Sequence, residues 1–122
     1  MKIENIKFKA KRIDGKGWAI GDLLHSYENG AIIVPIEGGG AFSVDPSTVC
    51  MFTGLKDCEG NEIWEGDIIS SPHFERVATV KWDDSLCGFK CSDVTGNINF
   101  SFTAIAHCSE WSIVGNEFDK KK

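Results

Sequence analysis

The chain has 122 residues, enough for one compact domain or for two small subdomains that share a core. Hydrophobic residues make up 42% and charged residues 25%, a composition that excludes a disordered chain. No apolar run approaches the roughly 20 residues of a membrane-spanning helix, and the amino terminus shows no signal-peptide pattern. We therefore expect a cytoplasmic protein without a membrane partner.

The net charge of −5 is unevenly distributed along the chain. Residues 1–17 hold six basic and two acidic residues, whereas residues 22–119 hold four basic and sixteen acidic ones. Most of such a surface repels phosphates, which disfavours a general duplex-binding protein. Nucleic acid stays possible as a partner only through the basic amino-terminal strand.

The amino-terminal part of the chain predicts short antiparallel strands. Residues 6–11 alternate strictly, which predicts a half-buried strand. Its basic face consists of Lys7, Lys9 and Lys11, and its apolar face of Ile6, Phe8 and Ala10. Further strands are predicted at residues 18–24, 31–36, 41–44 and 47–52, with turns at 14–17, 28–30, 37–40 and 45–46. Pro35 lacks an amide donor, so we expect its strand to end there or to lie at an edge.

The carboxy-terminal part predicts a second group of short strands, at residues 66–69, 76–82, 88–91, 98–102 and 110–116. Alternation places Ala78, Val80 and Trp82 on one face of the second of these strands. Short strands joined by tight turns must curl to cover their edges, and a small SH3-like barrel is the economical arrangement. Only residues 102–108 have helical spacing, sufficient for one or two turns.

The fold class predicted is therefore all-β. Residues 1–53 form an amino-terminal β subdomain of short antiparallel strands, and residues 54–122 form an SH3-like barrel subdomain. At most one or two short helical turns are expected.

Residues 53–69 join the two regions and contain the densest turn chemistry in the chain. Asp57 can accept hydrogen bonds from amides that follow it, and Gly60 can adopt a positive φ, so residues 57–61 predict a tight turn. We expect Gly66 and Asp67 to bend the chain, with the Asp67 carboxylate accepting backbone N–H groups as an intramolecular clasp.

The same stretch predicts which side chains enter the core. Ile63 and Ile68 are both expected to point inward. A structural role for this segment is favoured over a ligand or partner surface, because turn residues and core isoleucines account for its composition.

Residues 53–57, Gly60 and residues 62–69 together resemble the signature of the YopX family, small proteins encoded in bacteriophages and in prophages of bacterial genomes. Residues 6–10, 80–82 and 113–116 are similar to other landmarks of that family, so the resemblance covers nearly the whole chain. Cys58 replaces a residue that is usually polar, Trp64 replaces a common Tyr or Phe, and the chain stops soon after Asn116. The signature residues are Thr53, Gly54, Leu55, Asp57, Gly60, Ile63, Gly66 and Asp67.

The resemblance implies a β-rich fold whose carboxy-terminal part is similar to an SH3-type barrel. It also implies a bacterial host cell as the location. No catalytic residue is carried over, because no biochemical activity is known for the family.

The sequence gives little support for a metal site or a catalytic site. The five cysteines are Cys50, Cys58, Cys87, Cys91 and Cys108, an odd number without paired short spacing, which favours reduced thiols in a cytosol. A zinc site would need Cys87, Cys91, His107 and Cys108, whose spacing differs from that of zinc ribbons and fingers. The three histidines, His25, His73 and His107, are scattered, and no nucleophile elbow is present. We predict no catalytic residue, no metal and no cofactor.

Binding is the better-supported class of function, since SH3-like barrels are more often binding modules than enzymes. The aromatic candidates for an exposed surface are Trp64, Trp82, Trp111, Phe74 and Phe89. Most are expected in the core, and Phe74 is the one most expected at the surface. The candidate binding residues are Phe74, Trp64, Lys7, Lys9 and Lys11.

The function expected is that of a non-enzymatic phage or prophage accessory protein, which binds a protein partner or self-associates. The alternative is a nucleic-acid-associated module that uses the basic amino-terminal strand and needs exposed aromatic side chains beside it and a steep salt dependence. A third hypothesis is an acidic mimic that competes with nucleic acid for a host enzyme, but the acidic residues are dispersed along the chain.

Overall fold

The computed structural model describes residues 2–72, 74–93, 99–101 and 110–119. For residues 74–76 and 99–101 it describes the backbone alone. Across the described ranges the chain is all-β, as predicted, and has no α-helix. The strands are β1 Phe8–Lys11, β2 Trp18–His25, β3 Ala31–Val34, β4 Phe42–Val44, β5 Cys50–Lys56, β6 Glu62–Trp64, β7 Asp67–Ser71, β8 Phe74–Asp83, β9 Gly88–Asp93, β10 Asn99–Ser101 and β11 Ser112–Asn116.

Helical structure in the described residues is limited to three-residue turns of 3-10 helix. These turns are Ile3–Asn5, Tyr27–Asn29, Pro46–Thr48 and Glu117–Asp119. The helical turns predicted at residues 102–108 lie outside the described residues. The chain divides into two compact units, Met1–Phe52 and Thr53–Lys122.

The first unit contains an antiparallel sheet in the order β4-β3-β2-β1-β5. Ala10 of β1 lies opposite Ala19 of β2, and Leu23 of β2 lies opposite Ile33 of β3. The sheet also curls until β4 meets the end of β1, because Arg12 forms an isolated bridge with Val44. The strands β1 to β4 therefore close into a small ring.

The interior of this ring is built largely from small side chains. Its buried members are Ala10, Ala19, Ala31, Ile33 and Val44, against which Phe8, Leu23, Phe42 and Val49 pack. Alanines let neighbouring strands curl tightly around a narrow core, because they require little space between the backbones.

Two predictions about the first unit are wrong and one is confirmed. The alternation predicts Ile6 on the buried face, but its side chain is 37% exposed because the strand begins only at Phe8. The strand predicted from residue 47 begins at Cys50, because Asp45 accepts a hydrogen bond from the Ser47 amide and caps a 3-10 turn there. The prediction that the strand before Pro35 ends there or lies at an edge is confirmed, because β3 ends at Val34.

The second unit contains an antiparallel sheet in the order β10-β9-β8-β7-β11, and β6 pairs with the preceding strand β5. The last strand returns beside the first strand of this sheet, with Ile113 opposite Ile69 and Asn116 opposite Asp67. In the described residues the sheet is open between β10 and β11, and its order is compatible with the predicted SH3-like barrel.

The core of the second unit consists of Ile63, Ile69, Ala78, Val80, Cys91 and Trp111, with Leu55, Phe89 and Ile113 packed against them. The prediction that Ile68 points inward is wrong. Alternation along β7 buries Asp67, Ile69 and Ser71 and leaves Ile68 half-buried. The hydrogen bonds of the Asp67 carboxylate fix this orientation, because they hold the first side chain of the strand inside.

The prediction that Trp82 belongs to the core is also wrong, since its side chain is 43% exposed. Trp82 lies near the end of β8, where its ring packs edge-to-face on Phe89 with centroids 5.3 Å apart. Its indole N–H donates to an Asp84 carboxylate oxygen at 2.7 Å. The alternation is correct for Ala78 and Val80, which lie earlier in the same strand and are buried.

Candidate functional site

The first half of the signature forms a turn around a carboxylate. Asp57 Oδ1 accepts hydrogen bonds from the amides of Glu59 at 2.9 Å and Asn61 at 2.8 Å, as the sequence predicted. Its second oxygen, Oδ2, accepts from the amide of Ile113 in β11 at 3.1 Å. One buried carboxylate thus closes its own turn and holds a strand that lies 56 residues later in the chain.

The pKa of Asp57 results from two opposing effects. Burial disfavours the charged form, but hydrogen bonds from the amides of Asn61, Ile113 and Glu59 favour it and leave the pKa lowered from 3.8. Asp57 is therefore ionised at neutral pH and is matched to donors, an arrangement suited to structural support.

The second half of the signature forms a clasp around Asp67, which is 3% exposed. Asp67 Oδ2 accepts from the Trp64 amide at 2.7 Å, so the expected backbone bond is present. Oδ1 accepts from Asn116 Nδ2 at 2.9 Å. The amide of Glu117 also donates to the carbonyl oxygen of Gly66 at 2.9 Å.

The remaining signature residues support the same arrangement. The Thr53 hydroxyl donates to the Ile63 carbonyl oxygen at 2.6 Å, which joins β5 to β6. The Cys58 amide donates to the Trp111 carbonyl oxygen at 3.0 Å, just before β11 begins. The signature therefore fastens the carboxy-terminal strand at both of its ends.

The cysteines described by the structure fall into two classes. Cys50 and Cys91 are buried, whereas Cys58 and Cys87 are exposed. Burial raises the pKa of the Cys91 thiol to about 12, which keeps it protonated. No group of His, Cys, Asp and Glu side chains suited to hold a metal is found in the described residues. His107 and Cys108, which the zinc hypothesis needs, lie outside them.

The predicted lysine row lies on one face of the first unit, with the buried Ala10 on the opposite face. Lys9 and Lys11 hold their ammonium groups 4.5 Å and 5.0 Å from the centroid of the Trp18 ring. Lys7 lies 4.8 Å from the centroid of Phe52. Aromatic side chains therefore accompany the basic strand, but Phe52 is 4% exposed and Trp18 is half-buried, whereas a single-strand binder needs exposed aromatic side chains.

The face that carries the lysine row continues across β2 and β3, and we call it the outer face. It is defined by Lys9 on β1, Ile20 and Leu24 on β2, and Ile32 and Val34 on β3, which share one side of the sheet by register. Ile20 is 48% exposed and Leu24 is 52% exposed, while Ile32 and Val34 are half-buried. Several large aliphatic side chains thus lie together at the surface.

The candidate binding residues differ in their exposure to solvent. Trp64 is buried, at 5% exposed, so its selection as a surface aromatic is wrong: β6 turns its ring inward, away from solvent. Phe74 belongs to β8, but its side chain lies outside the described part, and the prediction of its exposure stays a prediction. Lys7, Lys9 and Lys11 lie together on the outer face.

Sequence reasoning missed Ile20 and Leu24 as surface residues. Apolar side chains lie on both faces of β2, and Asp22 is the acidic side chain that marks the side of Ile20 and Leu24 as the one that faces solvent. Register gives the same answer, because the residue opposite Lys9 must lie on the lysine side.

Together, the fold and the signature define a class: small all-β proteins in which a turn-and-clasp segment fastens the last strand. The family model described as YopX protein matches residues 4–121, and the chain belongs to this family. No match was found among curated proteins. Among the described residues, no helix is long and apolar enough to cross a membrane.

Proposed function

We propose that the protein is a non-enzymatic accessory protein of a phage or prophage, which acts in the cytoplasm of the bacterial host by binding a protein partner or a second copy of itself. The observation that carries this proposal is the outer face of the first unit. Ile20 and Leu24 are about half exposed and adjoin Ile32 and Val34. Clustered aliphatic side chains at a surface are characteristic of interaction sites.

The state of the acidic and thiol groups supports a non-enzymatic role. Asp57 and Asp67 are committed to hydrogen bonds that hold β11 in place. Hydrogen bonds from the side chains of Ser85 and Lys90 lower the pKa of Asp83 to about 2, which makes it a poor general acid. The Cys91 thiol is protonated and buried, and therefore unsuited to nucleophilic attack.

Co-purification tests the proposal. The tagged protein is isolated from lysate of its bacterial host with and without nuclease, alongside the double variant Ile20→Thr/Leu24→Thr. A stoichiometric protein partner, or a second copy detected by native mass spectrometry, should resist nuclease and be lost from the variant. Leu86→Thr is the matched control, because Leu86 is 64% exposed but lies in the β8–β9 turn of the other unit.

Two results would contradict the proposal. One is the wild-type protein remaining monomeric without a partner, and the other is the double variant retaining whatever the wild type captures.

The second candidate function is association with nucleic acid. It is favoured by the position of Lys9 and Lys11 beside Trp18, since single-strand binders combine cationic and aromatic side chains. Titration of fluorescein-labelled oligothymidylate at two salt concentrations tests it. Binding that weakens steeply with salt and is reduced by Lys9→Gln would favour this function over the first.

A further inference from the structure

The outer face is chemically asymmetric. On the β1 side, Lys9 lies directly opposite Ile20 and Lys11 lies opposite Trp18. On the β3 side, Ile32 lies opposite Leu24, and Ser43 of β4 lies opposite Ile32. The exposed part of the face ends at β1, because Cys50 of β5 lies opposite Lys9 on its other side and is buried. The face thus has an aliphatic centre, a cationic border along β1 and an uncharged border along β4.

The lysines of the cationic border are positioned by aromatic rings. At least four cation–π pairs lie within the first unit, whereas about one per 70–80 residues is usual. Stacking against Trp18 and Phe52 limits the freedom of the lysine side chains while their ammonium groups keep their charge. A cationic border that is already ordered loses less entropy when it meets an anionic group.

One acidic side chain interrupts the face. Asp22 is exposed and lies between Ile20 and Leu24 on the same side of β2, opposite Val34. Its carboxylate disfavours an anionic group over the centre of the face and leaves the β1 border as the place for negative charge.

We propose that the outer face binds an apolar protein segment that carries carboxylate side chains along one side, with those carboxylates over the lysine border and the apolar side chains over Ile20 and Leu24. This inference rests on the proposed function and specifies the chemistry of the partner. Charge complementarity selects the orientation of the segment, and burial of aliphatic surface supplies affinity.

The observations favour such a segment over single-stranded nucleic acid. Bases stack on aromatic faces, but the exposed centre of the outer face is aliphatic. The rings near the border are covered by lysines or buried, since Phe52 is only 4% exposed. Asp22 opposes a phosphate backbone that crosses the centre of the face, whereas a segment with carboxylates along one side keeps its negative charge at the lysine border.

Selection from a random 16-residue peptide display library tests the proposal, with Ile20→Thr/Leu24→Thr as the counter-selection protein. Enriched peptides should combine aliphatic residues with Asp or Glu. The affinity of one such synthetic peptide is then measured by calorimetry and compared with the same peptide carrying Lys in place of each Asp and Glu. The charge-reversed peptide should bind at least tenfold more weakly.

Variants of the protein locate the two parts of the contact. The double variant Ile20→Thr/Leu24→Thr should weaken binding of the acidic peptide by about tenfold or more, because the aliphatic contact is lost. Lys9→Gln should weaken it about twofold to fivefold, while Lys9→Arg should keep it. Asp22→Asn should leave binding unchanged or strengthen it, and Leu86→Thr should not change it. Circular dichroism of each variant verifies that it is folded.

Several results would overturn the inference: no enrichment over the counter-selection protein, enrichment of basic peptides, equal binding of the charge-reversed peptide, or tighter binding of oligothymidylate than of any peptide. A native mass spectrum showing a dimer that depends on Ile20 and Leu24 would assign the face to a second copy. If a nuclease-resistant partner depends on the face but charge reversal has no effect, the proposed function stands and only this inference fails.

Discussion

At the scale of single residues, Asp67 is the most deeply buried carboxylate of the signature. Its carboxylate accepts from the Trp64 amide and from Asn116 Nδ2 while only 3% exposed. Asp67→Ala would leave both donors without this acceptor in a buried place. We expect a loss of roughly 1.5–3 kcal/mol in the free energy of unfolding, seen as a melting temperature lowered by several degrees.

Thermal unfolding followed by circular dichroism measures this loss, with Asp22→Ala as the control because Asp22 is exposed on β2. The control should melt within about three degrees of the wild type, since most surface substitutions change stability by less than about 0.5 kcal/mol. An Asp67→Ala protein that melts with the control would rule out the clasp.

Asp57 predicts the pH dependence of stability. Burial raises its pKa, but the amides of Asn61, Ile113 and Glu59 outweigh this effect and leave the pKa below 3.8. A lowered folded-state pKa means that the stabilisation is present above pH 3.8 and is lost as the pH falls through the folded-state value. Urea unfolding of wild type and Asp57→Asn at pH 2 to 6 should show a difference that is largest above pH 4 and shrinks in acid.

The opposite pH trend would contradict this assignment. If the two proteins diverged as the pH fell, the Asp57 carboxyl would be favoured in its protonated form in the folded state.

The cysteines predict a pattern of chemical reactivity. Cys58 and Cys87 are exposed, whereas Cys50 and Cys91 are buried and the pKa of Cys91 is raised to about 12. Brief treatment of the native protein with a maleimide should modify Cys58 and Cys87 first, because thiolates at the surface react fastest. Peptide mass spectrometry reads the sites, and the same treatment in urea should modify Cys50 and Cys91 as well. Early modification of Cys91 would contradict its burial.

At the scale of elements, the bend between β6 and β7 is specified by Gly66. Its φ is +89°, and an added Cβ would lie 3.3 Å from Asn116 Nδ2 and 3.3 Å from Phe118 Cε2. Gly54 has a similar φ of +88° but open space around the corresponding position. At either glycine, a side chain would destabilise the backbone conformation by about 1–2 kcal/mol, because φ is positive. The two positions differ in that only a side chain at Gly66 would crowd neighbouring atoms.

This pair of glycines makes a matched experiment. Gly66→Ala should destabilise the protein by about 1–3 kcal/mol more than Gly54→Ala, because the added methyl group crowds the segment that follows β11. Urea unfolding midpoints measure the difference. Equal destabilisation by the two substitutions would show that the side chains at the end of β11 move away from the added methyl group without a loss of stability.

Local elements are where the sequence was most informative. The turn at residues 57–61 and the end of β3 at Pro35 follow from side chains that act on their own backbone, and both are present. The side on which a strand is buried was harder to predict. The sequence predicts Ile68 in the core, whereas Asn116, 49 residues away, holds the Asp67 carboxylate inside, so that alternation leaves Ile68 half-buried.

At the scale of the whole molecule, an all-β protein with two groups of strands could be predicted, because turns and alternation recur along the chain. The outer face was not predicted, since Asp22 is the one acidic side chain that distinguishes the two sides of β2, and the partner strand that places Ile20 beside Lys9 is not visible in the sequence of β2. Closure of the first unit through Arg12 and Val44 was equally hidden, because no local pattern in either residue indicates the other. Long-range pairing is thus what the sequence left open.

Long-range pairing also predicts how the molecule folds. The strand β11 pairs with β7, and the Asp67 carboxylate accepts a hydrogen bond from Asn116, 49 residues later in the chain. By contrast, β8 and β9 form a local hairpin in which Val80 lies opposite Cys91. Closing a long loop costs more entropy than closing a hairpin, so we expect the hairpin to form before the clasp. Folding should take milliseconds to seconds, slower than in helical proteins of similar size.

Stopped-flow folding of two variants tests this order. Val80→Ala removes two methyl groups from a fully buried hairpin residue and should slow folding, whereas Asp67→Ala should mainly accelerate unfolding, because its bonds form after the transition state. Tryptophan fluorescence is a suitable signal, since Trp64 and Trp111 are buried in the same unit. If Asp67→Ala slowed folding as much as Val80→Ala did, the signature would be part of the folding nucleus, and the clasp would direct the fold as well as fasten it.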